Sequence, residues 1–246
     1  MKIAVRGGHN PQATGCSALI NELTENRKVK DSVIKYLKQL GHTVLDITPG
    51  PCDVNTDLSY GVNRANEWGA ELFISIHFNK AYNSYDGELG SEVCVYSKFD
   101  IAQRVVDKLG TLGFKNRGQK IRPELYELCN TTMPAMIVEV CFVEATKDIA
   151  LYKKLGSDNV GKVIVEGIVN KSINIKEEYD MNKLVVYLGD VDLFGAVMVA
   201  QKYGCPLMKY SDYKTSGLKV KEVIQIGGKA TDTNRYVTFK NAAALV

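Results

Sequence analysis

Histidine is scarce in this chain, with three among 246 residues, and tryptophan occurs once. A metal centre here must therefore use two or three imidazoles at most and complete its donor set with another residue type. Charge of one sign is lacking too, since 31 lysines and arginines meet 28 acids and leave +3. The two signs interleave, which gives no argument for a nucleic-acid partner, although mild basicity suits an anionic polymer. No apolar run reaches the length needed to span a bilayer. The start, Met1 to His9, meets Arg6 and His9 too early to form the apolar core of a secretory leader. The expectation is a chain that begins in the cytoplasm. C-x-x-C pairs are missing among the six cysteines at 16, 52, 94, 129, 141 and 205. Cys94, Cys129, Cys141 and Cys205 lie in apolar or strand-like settings and are expected to be small buried thiols. A thiolate nucleophile would need a histidine base that the chain can hardly spare.

What is present is the signature of a globular protein, with 45% apolar and 24% charged residues. Lys2 to Arg6 forms a short buried strand ending at Gly7-Gly8. From Glu22 to Leu40 the period turns helical, with Val29, Val33, Tyr36, Leu37 and Leu40 on one face and Gly41 as the stop. A strand follows over 42–47, then a helix over 57–68 capped by Gly69, then the buried strand Leu72 to Phe78. Residues 80–90 form a polar loop suited to a binding rim. Strand 92–96, helix 100–112, strand 135–143 and the mostly helical stretch 146–172, broken near Gly156, complete the first part. Strands alternating with helices predict an α/β fold, a twisted and mostly parallel sheet flanked by helices.

Residues 175–182 are polar and lack an apolar period, as a linker does. This divides the chain into a domain over 1–174 and a second, small α/β domain over 183–246. The latter has strands at 184–188, 206–209 and 223–226 and a helix at 193–203. At about 65 residues it is near the lower limit for folding alone, and self-association into a homo-oligomer would add burial. Lys176-Glu177-Glu178 is encodable by purine-only codons containing a ribosome-binding sequence, with Met181 shortly after. An internal start at Met181 would yield the second domain alone.

Two of the three histidines share a context. His9 follows the first strand and His77 ends the strand that starts at Leu72. In open α/β sheets ligands gather at the carboxyl ends of strands, and two neutral imidazoles brought together there suit Zn²⁺. His42, at the start of a strand after Gly41, is expected to be structural. A third ligand must be a carboxylate, and Glu22 and Glu25 both open the first helix, where the helix dipole alone would favour them. Spacing does not choose between them. Glu139 interrupts the apolar strand Met136 to Phe142, a costly position unless it has a partner or a task. It is the candidate general base, with a buried ion pair as the alternative. Glu144 competes from the strand's end.

Gly8-His9, Glu22 with Asn26, Ser75-Ile76-His77-Phe78-Asn79, and Pro134 to Glu139 with Phe142 and Asp148 occur in an order that resembles the zinc N-acetylmuramoyl-L-alanine amidases of the Amidase_3 type. Ala65-Asn66 and Arg117-Gly118 add to the likeness, which covers roughly residues 1–172. The resemblance implies His9, Glu22 and His77 as ligands of one zinc ion and Glu139 as the catalytic glutamate, and it prefers Glu22 to Glu25. Cys141 before Phe142, Ala145, and a glycine-poor loop after His9 depart from the family pattern and bear on substrate contacts. The implied substrate is bacterial peptidoglycan, with water attacking the amide between N-acetylmuramic acid and L-alanine. Over the whole chain the likeness is to endolysins of phages that infect clostridia, in which a small α/β domain binds a wall polymer. Such enzymes wait in the host cytoplasm until a holin releases them. A host autolysin, a spore-cortex amidase, a zinc carboxypeptidase and a non-catalytic wall-binding protein are the alternatives.

Overall fold

The computed structural model describes residues 1–173, 180–227 and 242–245. The chain divides into two compact units, Met1–Ile173 and Asn174–Val246. In the first, the elements run β1 (Lys2–Gly7), α1 (Glu22–Gln39), β2 (Thr43–Asp46), α2 (Val54–Trp68), β3 (Leu72–Asn79), β4 (Ser91–Val95), α3 (Asp100–Thr111), β5 (Asn116–Ile121), α4 (Tyr126–Cys129), β6 (Ala135–Phe142), α5 (Thr146–Leu155) and α6 (Ser157–Val169). Six strands form one sheet in the order β2-β1-β3-β6-β4-β5. Strands β2, β1, β3 and β6 are mutually parallel, and β4 meets β6 antiparallel. The expected fold class, an α/β protein with a mostly parallel sheet, holds.

The central strands are buried on both faces, so they appear in the sequence as unbroken apolar runs. One core layer joins Ile3, Val5, Ile74, Ile76 and Val138 to Val29, Val33 and Leu37 of α1 and to Val105 and Ile164 of α3 and α6. A smaller one on the other face joins Ala4, Phe73 and Ile137 to Ala65 of α2 and Leu128 of α4. Helix α1 starts where it does because the Asn21 side chain accepts from the Thr24 amide at 2.9 Å, a cap worth about 1 kcal/mol.

The second unit has its own three-stranded parallel sheet. Its elements are β7 (Met181–Tyr187), α7 (Leu193–Tyr203), β8 (Leu207–Lys209), α8 (Tyr210–Ser216) and β9 (Val220–Ile226), with strand order β8-β7-β9. Val185, Ala196, Val199 and Ile226 centre its core. The expected linker at 175–182 needs correction at its end, because Met181 and Asn182 already belong to β7, where Met181 pairs with Val220. Residues 175–179 of that segment lie outside the described residues. Of the cysteines expected to be buried, Cys94 and Cys141 are, whereas Cys205 is half-buried and Cys129, on the short α4, is exposed. No helix among the described residues is long and apolar enough to cross a membrane.

Candidate metal centre

The sheet places the chemistry. His77 near the end of β3 pairs in register with Glu139 of β6, and Glu139 pairs with Glu92 of β4. Directly paired residues share a face, so these three side chains form a row across adjacent strands. His9 arrives two residues past β1, and Glu22 is the first residue of α1. One donor atom from each of His9, Glu22 and His77 lies within 4.8 Å of the others. His77 Nδ1 is 3.1 Å from Glu22 Oε1, and His9 Nε2 is 3.3 Å from Glu22 Oε2. The two rings meet edge to face at 4.9 Å between centroids.

Local structure holds this arrangement. His9 sits in the left-handed region at φ 63°, a conformation that costs on the order of 1–3 kcal/mol in a non-glycine residue. Asn26 and Arg27 offset that cost by donating to the Gly8 carbonyl at 2.8 Å each, and Arg27 Nη2 donates to the His9 carbonyl at 2.5 Å. Glu22, 2% exposed, accepts from the Phe78 amide at 3.1 Å and the Cys16 amide at 2.9 Å. Gly8 is required by packing, since a Cβ there would lie 1.9 Å from His77 Cε1. Gly8→Ala is therefore expected to push the His77 ring out of line. Metal affinity should fall by an order of magnitude or more, while the core packing of α1 and β1 stays. Isothermal titration with zinc beside a thermal melt checks both halves.

The electrostatics separate the carboxylates into two kinds. Burial alone would push Glu22 up, but its contacts with His77 and His9 hold it well below the usual carboxylate range. Burial would lower His77, yet the Glu22 contact and the charges of Glu139 and Glu127 raise it. Glu139 is pushed up to about 7, first by burial and then by the neighbouring Glu22, Glu92 and Glu127, against the pull of His77. Its Oε2 is enclosed and has no hydrogen-bond partner among the described residues. Glu92, by contrast, accepts from Asn79 at 3.0 Å and from Arg117 at 2.6 Å. Glu139 thus combines a raised pKa with an unpaired oxygen beside a donor cluster, the pattern of a functional carboxylate.

The other sequence candidates separate from this group. Glu25 accepts from the Tyr152 hydroxyl at 2.8 Å and pairs with Lys28, so it faces α5. Glu144, expected among polar neighbours, is instead buried, and its Oε1 accepts from the Ala81 and Tyr82 amides, bracing the loop at 80–90. On that rim the Tyr82 and Tyr85 rings stack at 5.6 Å. Asp148 accepts from the Gly90 amide at 2.9 Å and secures the same loop's far end. His42 lies at the opposite end of the sheet, beside the amino terminus. Glu127 was not visible as a site residue in the sequence. It stands on the four-residue α4 and is buried against Arg6, Ser75 and His77.

The donor chemistry fits a zinc ion. Two imidazole nitrogens and one carboxylate are a common catalytic set, and tetrahedral ligand atoms at zinc bonding distance stand roughly 3.3 Å apart. The 3.1 Å between His77 Nδ1 and Glu22 Oε1 is of that size, and one donor atom from each of the three residues lies within 4.8 Å of the others.

Fold and site together define an α/β protein with a His-Glu-His centre at the carboxyl ends of parallel strands and a half-buried glutamate alongside. The family model of the N-acetylmuramoyl-L-alanine amidases of the Amidase_3 type matches residues 3–170, and the chain belongs to that family. An uncharacterized protein of Clostridium perfringens is 54% identical over 186 residues, spanning 72% of this chain and 55% of its own. A second from the same species is 51% identical, with 53% of its length covered. The chain thus spans about half the length of these curated relatives. The endolysin of Bacillus phage SPP1 is 29% identical, over 70% of this chain and 65% of its own. Among solved structures, the catalytic domain of the CD27L endolysin targeting Clostridia Difficile superposes with a TM-score of 0.64. It is 33% identical and covers 71% of this chain and 99% of that one.

Proposed function

We propose that this protein is a phage endolysin that hydrolyses the amide between N-acetylmuramic acid and L-alanine in peptidoglycan, with one zinc ion held by His9, Glu22 and His77. The observation that carries this reading is the convergence of those three donors beside Glu139, whose Oε2 has no hydrogen-bond partner among the described residues. Zinc, when bound, supplies Lewis acidity that acidifies water and polarises the scissile carbonyl. Glu139 takes the proton of the attacking water at its carboxylate and then delivers it to the leaving L-alanine nitrogen. A resting pKa near neutrality suits both halves of that transfer. Glu22 stays ionised and keeps the two imidazoles facing one point.

Two observations favour a phage origin over a host autolysin or a spore-cortex amidase. The SPP1 relative is an endolysin, and so is the protein behind the structural match at 33% identity. In this reading the chain waits in the host cytoplasm, reaches the wall after a holin opens the membrane, and uses residues 183–246 to hold a wall polymer. A chain begun at Met181 would retain all of β7, so an internally started fragment would keep the strand on which that sheet is built. Such a fragment would be a natural partner for a homo-oligomer through the second domain.

The test is digestion of clostridial cell walls by the full chain, with and without a chelator. Turbidity is expected to fall, free amino groups of alanine to appear, and both to stop on chelation and return with zinc. Release of a free C-terminal amino acid would show a carboxypeptidase instead. Binding to walls without any cleavage would leave only a wall-binding protein.

A further inference from the structure

Behind the metal-facing side of His77 lies a buried polar relay that the hydrolytic scheme does not use. His77 Nδ1 points at Glu22, on the side of the donor cluster. Its other ring nitrogen, Nε2, is 3.0 Å from Ser75 Oγ and 4.0 Å from Glu127 Oε2. Ser75, wholly buried two residues back on β3, donates its hydroxyl to Glu127 Oε1 at 3.3 Å. Glu127, 3% exposed, is held in turn by Arg6, whose Nη1 is 3.0 Å away. Arg6 also pairs with Asp57, whose Oδ2 accepts from the Asn10 side chain at 2.6 Å. Ionic groups this deeply buried are costly unless the geometry is used.

We propose that Ser75 and Glu127 are positioning residues for His77, fixing the proton on Nε2 so that Nδ1 presents its lone pair to zinc. The direction of each hydrogen bond follows from donor chemistry. Nε2–H donates to Ser75 Oγ, and a hydroxyl that accepts in this way still has its own proton for Glu127 Oε1. A carboxylate at the end of such a chain increases the basicity of the liganding nitrogen and locks the ring's orientation. Arg6 holds Glu127 in place, and Asp57 anchors Arg6 in turn. The same network runs through Asn10, next to His9, so it ties both histidine-bearing segments to one buried arginine. This inference rests on the zinc reading above and adds a role for residues outside its ligand set.

The experiment is chelator competition for zinc on the full chain, with Ser75→Ala and Glu127→Gln beside the parent. Each substitution is expected to weaken zinc binding about 10- to 100-fold. In the zinc-loaded parent, ¹H–¹⁵N NMR should show a slowly exchanging His77 Nε2–H, and in Ser75→Ala that proton should exchange quickly. Ser75→Ala leaves the Arg6–Glu127 pair intact, so it decides the matter even where Glu127→Gln fails to fold. Parent-like zinc affinity and parent-like Nε2–H exchange in Ser75→Ala would overturn the proposal while leaving the metal centre standing. A parent chain that binds no zinc would remove both.

Discussion

Glu139→Gln is expected to keep its zinc and lose roughly two to four orders of magnitude of wall-cleaving rate, the usual worth of a positioned general base. The argument is geometric. Glu139 is paired in register with His77 but contributes none of the three clustered donor atoms, so its loss leaves the donor set complete. Metal content by mass spectrometry and release of alanine amino groups report the two halves separately. The same variant carries a stability signature in the metal-free protein. Its carboxyl goes from an ordinary value of 4.5 to about 7 on folding. Folding therefore favours the protonated form. Below pH 4.5 the group is neutral in both states and adds no penalty. As pH rises past 4.5 and through 7 the folded state must hold a charge that desolvation and three neighbouring carboxylates disfavour, at a cost of about 3 kcal/mol. Metal-free Glu139→Gln should thus melt higher than the parent at pH 8 and equally near pH 4. A variant that still cleaves walls at the parental rate would end the assignment of Glu139.

His77→Ala should behave in the opposite way, losing metal and turnover together. Removing this imidazole deletes one of three donors, and it strips Glu22 of a partner at 3.1 Å in a site where that carboxylate is almost fully enclosed. Zinc affinity should fall by far more than the roughly 10–100-fold that outer hydrogen-bond partners are worth. Because a buried ionised group left without its partner is destabilising, typically by about 1–3 kcal/mol, the metal-free variant should also melt below the parent. Added zinc should rescue neither property at concentrations that saturate Glu139→Gln. Retention of stoichiometric zinc by His77→Ala after dialysis would remove His77 from the ligand set.

The parts of this site that were legible in the sequence are those that local patterns encode. Buried parallel strands appear as apolar runs, so His9 and His77 could be placed at strand ends, and a glutamate inside Met136–Phe142 stood out against its surroundings. The parts that were not legible depend on distant partners. Glu22 and Glu25 are one helical turn apart, and the choice between them is made by Tyr152, 127 residues further along the chain from Glu25. Glu127 belongs to a four-residue helix with no periodicity to detect, and its partner Arg6 is distant in sequence, on β1. Strand β5 was missed because Asn116–Ile121 is a polar strand at the sheet's edge, half-buried at best, without alternation. Strand β7 starts three residues before its apolar part, because Met181 to Lys183 follow the pairing with β9 rather than a hydrophobic pattern.

The antiparallel placement of β4 against β6 has a further consequence. It lets the chain leave β3 and enter β4 at the same end of the sheet, so residues 80–90 never cross a face and stay on the lip above the histidines. None of His9, Glu22, His77 or Glu139 lies in that segment, and its ends are clamped by Glu144 and Asp148. Evolution, or an engineer, can therefore exchange the tip between those clamps, Tyr82 and Tyr85 included, as a replaceable cuff.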